Sequence, residues 1–372
     1  MVFIPGVCFI KTSFMKKILF VVLSAVISVA SFAQKHQTEN VVIVTLDGMR
    51  WQEIFNGADP ALIANKEYTH DSSGIVKKYW NNNTEERRKL LFPFLWNTVA
   101  SNGQLYGNRA YGNNVNVTNK YWFSYPGYNE IFTGYPDTAV NSNDKILNKN
   151  ENVLEFINKQ PGFKNKVAAF STWDCFPYIL NEQRSGVYVN SDLSALKFDN
   201  SNLKLINDIQ FLTPMPSGAR PDILTYVAGR EYLKNYNPRV LYIAFDETDH
   251  FAHEGSYDQY LGAAHAEDGM LADLWKTLQS IPQYKDKTTL IVTCDHGRGD
   301  AVKSQWRSHG SDIKGADQIW LAVIGPDTKP LGEVKTGGQL YQRQWATTIA
   351  SFLGLQFKPS HQVMEPVQAV LK

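Results

Sequence analysis

The sequence predicts an α/β fold whose buried parallel strands open toward one functional edge. Three apolar, β-branched runs carry that reading, at residues 41–46, 240–245 and 290–294. Stretches of helical spacing separate them, as a mostly parallel sheet with crossover helices requires. Each run ends at an acid: Asp47, Asp246 and Asp295. In such sheets ligands bind beyond the carboxyl ends of the strands, where loops converge and backbone groups are free.

Residues 15–33 carry Met15 and two lysines, an apolar stretch over 18–32, and the small residues Ser31 and Ala33 before Gln34. That pattern predicts a secretory signal peptide cleaved after Ala33, too short in its apolar part to span a bilayer. Residues 1–14 resemble nothing useful and fit an over-long start, with Met15 as the initiator. No cysteine follows the apolar stretch, so a bacterial lipid anchor has no support. The expectation is a secreted or periplasmic protein without a transmembrane anchor, and the length of residues 34–372 allows one large α/β domain with insertions or two domains.

The 372-residue chain has a net charge of +1 and is 43% hydrophobic. Loss of Lys11, Lys16 and Lys17 with the signal brings the charge to −2, which gives no electrostatic reason to expect nucleic acid as a partner. The apolar content suffices for a large core. Cys175 and Cys294 remain after cleavage. They could pair in an oxidising compartment, but Cys294 sits in an apparently buried strand and reads as a free thiol.

Along the chain, residues 57–86 read as a polar, irregular insertion. Residues 89–100 have helical spacing and close at Asn102-Gly103. A short helix over 126–132 stops at Gly134, another covers 152–158, and a strand follows at 166–171. Residues 176–219 look like a second insertion or small cap. Helices are expected at 220–235, 256–278 and 341–353, the last ending at Gly354.

The chemistry gathers after the strands. Asp249 and His253 follow the second run, Asp295-His296-Gly297 the third, and His309 lies shortly beyond. Carboxylate mixed with imidazole suits zinc or manganese; a closed structural zinc site would use thiolates, and calcium or magnesium an all-oxygen shell. An open, catalytic metal site follows. Taken singly, Asp47-Gly48 or Asp295-His296-Gly297 would be a turn after a strand, and His250, His265, His70 and His361 read as solvated or supporting residues.

These residues resemble the alkaline phosphatase superfamily, most closely its nucleotide pyrophosphatase/phosphodiesterase branch. The matching pieces are the stretch from Val44 through Asp47 to Arg50, Ser124-Tyr-Pro126 through Thr133-Gly134, Asp249 through His253, Thr293 through Gly297, and Ser308-His309-Gly310. They run in the family's order. The resemblance implies a three-layer sandwich with helices on both faces of the sheet. It also implies two divalent metal ions, most readily zinc, with manganese as the other choice. Asp249, His253 and His309 would hold the first, and Asp47, Asp295 and His296 the second, with Ser124 bridging toward it. Ser124 stands at the family's nucleophile position, which implies a phosphoseryl intermediate, and Asn143 would donate to a non-bridging oxygen.

Sulfatases of the same superfamily need Arg four residues after the modified Cys or Ser; this chain has Ser124 and Pro126 but Tyr128. Tyr121, Trp122 and Tyr128 are candidates to stack on a substrate, and Lys120, Arg298 and Arg307 to neutralise a phosphomonoester's second charge. Loop packing and surface solvation are their plain alternatives. The expected function is hydrolysis of a small-molecule phosphate ester, monoester or diester. Phosphoryl transfer to another hydroxyl, sulfatase-like hydrolysis, and a metal-bound but non-catalytic binding protein are the competing readings.

Overall fold

In the computed structural model, Asn40–Leu46 is buried at every residue because it is flanked on both sides by parallel strands. The structure describes residues 1–3, 6, 37–212 and 218–372. The expected signal segment at 15–33, and the extension before it apart from residues 1–3 and 6, lie outside the described residues. Residues 36–372 form one compact unit. Among the described residues, no helix is long and apolar enough to cross a membrane.

The strands are β1 (Asn40–Leu46), β2 (Gly103–Tyr106), β3 (Asn113–Asn116), β4 (Val167–Ser171), β5 (Tyr188–Ser191), β6 (Val240–Phe245), β7 (Thr288–Thr293), β8 (Leu321–Ile324), β9 (Gly332–Glu333) and β10 (Gly338–Tyr341). Eight of them form one sheet in the order β5-β4-β6-β1-β7-β8-β2-β9, and β10 pairs with β3 in a small second sheet. From β5 to β7 every pairing is parallel; β8 runs antiparallel to both of its neighbours. Register is what assembles the site. Leu46 pairs with Phe245 and Thr45 with Thr293, so Asp47, Asp246 and the Asp295 turn leave the sheet at nearly the same height.

The helices between β1 and β2 are short. Residues 57–86, expected to be irregular, hold α2 (Pro60–Ala64), α3 (Ser72–Tyr79) and the start of α4 (Thr84–Leu91), after α1 (Trp51–Asn56). Their caps are Asp59, Asp71 and Asn83, each accepting backbone N–H groups of the first turn. Helices of five to eight residues show too little periodicity to be recognised by pattern, and only these caps signal them. The helix expected over 89–100 is broken: α4 ends at Leu91, and Pro93 and Phe94 begin a new turn that continues as a π-helical stretch over Leu95–Val99. Pro93 has no N–H and would clash with the preceding turn. The carboxylate of buried Asp268 caps the restart, accepting from Phe94 N–H at 2.7 Å and Leu95 N–H at 3.0 Å.

Further on lie α5 (Ser124–Thr133), α6 (Val153–Asn158), α7 (Ser201–Leu212), α8 (Asp222–Tyr236), α9 (Glu247–His253), α10 (Tyr257–Ser280) and α11 (Trp345–Phe352). Gly134, at φ +69°, ends α5 in the left-handed conformation that glycine alone adopts freely. Within the span 176–219, expected as an insertion or small cap, Tyr188–Ser191 supplies the edge strand of the main sheet. Cys175 and Cys294 are both free and buried.

Candidate metal centre and nucleophile

Two groups of ligand atoms converge beyond the carboxyl ends of β1, β6 and β7. Asp47, Asp295 and His296 form one, wholly buried. Asp249, His296 and His309 form the other, so His296 stands between the two. Asp246, although it ends a strand, belongs to neither group among the described residues.

In the buried group each carboxylate uses one oxygen for the protein and leaves one free. Asp47 Oδ2 accepts from the Tyr128 hydroxyl at 2.8 Å, and Asp295 Oδ1 from Gly48 N–H at 3.0 Å. Asp47 Oδ1 and Asp295 Oδ2 are buried without a hydrogen-bond partner. Both face His296 Nε2, at 3.4 and 3.5 Å. Neighbouring ligands in a tetrahedron with bonds of about 2.0–2.2 Å lie roughly 3.3 Å apart, so this spacing fits a cation. His296 Nδ1 lies 2.9 Å from Gly297 O, which fixes its proton there and turns Nε2 inward as an acceptor.

The electrostatics agree. Burial, reinforced by the nearby Asp249 charge, pushes Asp47 up to about 8. Burial and then the charge of Asp47 push Asp295 well above the carboxylate range. Two such groups cannot both ionise in a dry site without a counter-charge, which a divalent ion supplies. Burial lowers His296 to about 4, and burial together with His296 lowers His309 to about 2, so both imidazoles are neutral, as ligands must be.

Asp249 and His253 stand four residues apart on α9, on one face of the helix. His253 Nε2 lies 3.2 Å from Asp249 Oδ2 and 2.9 Å from His309 Nε2, and His309 Nε2 lies 3.8 Å from Asp249 Oδ1. The three residues expected to share the first metal are thus brought together. His309 Nδ1 lies 3.3 Å from the Trp122 carbonyl, which orients the ring.

Ser124 opens α5, and its Oγ lies 3.5 Å from His296 Nε2. The amino end of a ten-residue helix therefore points at the metal group and favours negative charge there. Asn143 is exposed beside it, its Oδ1 accepting from Tyr125 N–H at 2.9 Å. That contact commits the amide oxygen and leaves the amide nitrogen as the group's donor.

Of the three expected substrate contacts, burial excludes one. Tyr128 is 0% exposed and lies beneath Asp47, so it holds that carboxylate and cannot stack on a substrate. Trp122 meets the site through its backbone, accepting from Gly310 N–H at 3.0 Å and facing His309. Lys120 is exposed, with its ammonium 5.2 Å from the Tyr121 ring centre. Arg298, a surface cation on sequence grounds, is 1% exposed and paired with Asp249.

Other functional residues carry no legible motif. Buried Glu130, one turn and a half into α5, accepts from the N–H groups of Thr118, Asn119 and Arg343 and from the Thr118 hydroxyl and Asn119 amide. Asn119 Oδ1 in turn accepts from Tyr121 N–H and Trp122 N–H. Together they hold the loop before Ser124, in which Trp122 has φ +53°. A bulky residue in that region costs about 1–3 kcal/mol and persists only where its surroundings demand it. Gln342 Nε2 donates to the carbonyls of Cys294 and Asp295, fixing the other ligand turn.

A family model described as type I phosphodiesterase / nucleotide pyrophosphatase matches residues 59–318, which include Ser124 and five of the six metal-ligand candidates but not Asp47. Among solved structures, alkaline phosphatase PafA aligns with a TM-score of 0.62 at 11% identity, over 90% of this chain and 99% of that one. The lipoteichoic acid synthase LtaP from Listeria monocytogenes aligns at 0.58 and 13% identity, over 90% and 76% of the two chains. The phosphonate monoester hydrolase of Agrobacterium radiobacter gives 0.55 and 12%, over 89% and 77%. At such identities the likeness is one of fold. No curated protein matches the chain.

Proposed function

Because this chain belongs to the type I phosphodiesterase / nucleotide pyrophosphatase family, we propose that it hydrolyses small-molecule phosphate esters with Ser124 as nucleophile and two divalent ions as cofactors. One observation carries the reading. The two partnerless buried oxygens of Asp47 and Asp295 face the same imidazole nitrogen that Ser124 Oγ approaches.

Asp47, Asp295 and His296 would hold one ion beside Ser124, and Asp249, His253 and His309 the other. Zinc is the ion these ligands favour, with manganese as the alternative. When bound, such a pair polarises the phosphoryl group, makes a serine alkoxide accessible near neutral pH and offsets charge on the departing oxygen. In the first displacement Ser124 Oγ attacks phosphorus in line, and the ester oxygen departs with the alcohol. In the second, water attacks the phosphoserine, the P–Oγ bond breaks and the hydroxyl is regenerated. Two inversions retain configuration at phosphorus. The amino end of α5 favours the charge that builds at Ser124, and the Asn143 amide donates to a non-bridging oxygen. Export belongs to the same proposal: cleavage after Ala33 would leave residues 34–372 as a secreted or periplasmic catalytic domain.

The test is turnover of p-nitrophenyl phosphate, bis-p-nitrophenyl phosphate and p-nitrophenyl sulfate, with and without chelator, by the wild type and Ser124→Ala. The expected result is phosphate-ester cleavage that chelator abolishes and that Ser124→Ala lowers by about a thousandfold or more, with phosphoserine at 124 recovered after acid quench. Full turnover by Ser124→Ala would remove the nucleophile, and preference for the sulfate ester would remove the substrate class.

A further inference from the structure

Arg298 is a built-in cation that pairs with a carboxylate of one of the two ligand sets and with none of the other. Its guanidinium donates from Nε to Gly48 O at 3.2 Å and from Nη1 to Arg307 O at 2.8 Å. Nη2 donates to Asp249 O at 3.2 Å and to the Asp249 carboxylate. Arg298 follows the Asp295–His296 turn, and its acceptors lie on the other three ligand-bearing segments: Gly48 follows Asp47, Arg307 stands two residues before His309, and Asp249 is itself a ligand. A side chain at position 48 would displace the arrangement, since its Cβ would come within 2.7 Å of Asp249 Oδ1 and 2.9 Å of Arg298 Nε.

The two sets therefore differ in charge. Asp47 and Asp295 bring two carboxylates, and among the described residues neither is paired with Lys or Arg. A divalent ion there restores neutrality. Asp249 brings one carboxylate already compensated by Arg298, with Oδ1 occupied by the guanidinium and Oδ2 left beside His253. A divalent ion there leaves a net charge of +2, because Arg298 already offsets the Asp249 charge.

We infer that Arg298 is a positioning residue that makes metal loading unequal: the Asp47–Asp295–His296 set fills first and tightly, and the Asp249–His253–His309 set fills second and weakly. The weaker set then holds uncompensated positive charge where an anionic substrate's oxygens gather. The inference rests on the two-metal reading above.

Calorimetric titration of zinc into the chelator-stripped full chain tests it. The wild type should take up two ions in steps at least tenfold apart in Kd. His253→Ala, at a half-exposed position, should abolish the weak step and keep the tight one, whereas Asp295→Asn should do the reverse. Arg298→Gln should tighten the weak step at least fivefold, and Arg298→Lys should leave it near the wild-type value. Equal steps in the wild type, loss of the tight step in His253→Ala, or an unchanged weak step in a folded Arg298→Gln would each overturn the inference while leaving two metals in place. Uptake of fewer than two ions by the wild type would overturn the two-metal reading and this inference with it.

Discussion

Tyr128 shows what a single side chain contributes and why its role is hidden in the sequence. Four residues after Ser124, it shares that residue's helical face, which invites a role at the substrate. All ten residues of α5 are buried, however, and the phenol reaches Asp47 from beneath. Groups that orient a metal ligand in this way are typically worth 10–100-fold in metal affinity. Tyr128→Phe is accordingly predicted to weaken zinc binding by about that factor, measured by competition with a chromogenic chelator, with the far-ultraviolet circular dichroism spectrum unchanged. Wild-type affinity would deny the hydroxyl any part in holding Asp47. Gly48, at φ +57°, allows a second test: Gly48→Ala should lower both metal content and turnover, because a methyl group there meets Asp249 and Arg298 at once.

At the scale of the element, the helix that carries Ser124 is located by its neighbours as much as by its own sequence. Gly127 lets α5 lie against the ligand turn; a Cβ there would be 2.5 Å from Asp295 O. Glu130 anchors the strained loop before Ser124. Removing a buried acceptor that serves several donors strands all of them, so Glu130→Ala should cost about 2–4 kcal/mol in chemical denaturation. A cost below about 0.5 kcal/mol, typical of surface substitutions, would show that the loop holds itself.

The stop of α5 was legible from Gly134, its start lies two residues before the expected Pro126, and β1, β6 and β7 were legible from their apolar runs. The helix at 89–100 was not, since apolar spacing persists through Pro93 and only the missing N–H breaks it. Asp268, which caps the restart, has no local signature, as its partners are more than 170 residues away. Burial pushes Asp268 up to about 7 against the opposing pull of the Phe94 and Leu95 N–H groups. Its folded pKa is therefore above the unfolded value. Its contribution to stability is fully present below about pH 4 and is lost as pH rises through 7. Between those limits Asp268→Asn should flatten the decline of unfolding free energy with pH, by up to about 1.4 kcal/mol per pH unit. Identical slopes would show that Asp268 ionises freely in the folded protein.

For the molecule as a whole, the placement of acids at strand ends made the functional edge legible, because register alone brings Asp47 and Asp295 together. What sequence could not give was burial around those acids: which oxygens stay partnerless, which arginine turns inward, and which aromatic ring lies beneath. These depend on contacts between segments from about 50 to 250 residues apart. The centre also ties β1, α9 and the His309 loop to one another, so ions bound only by the folded state should stabilise it, by about 2.7 kcal/mol at a hundredfold excess over Kd. The most direct measurement is anomalous scattering at the zinc edge from crystals of the chain purified without chelator. Two peaks are predicted roughly 4 Å apart, one among Asp47, Asp295 and His296 and the other among Asp249, His253 and His309. A map with no peak among Asp47, Asp295 and His296 would contradict the account at its centre.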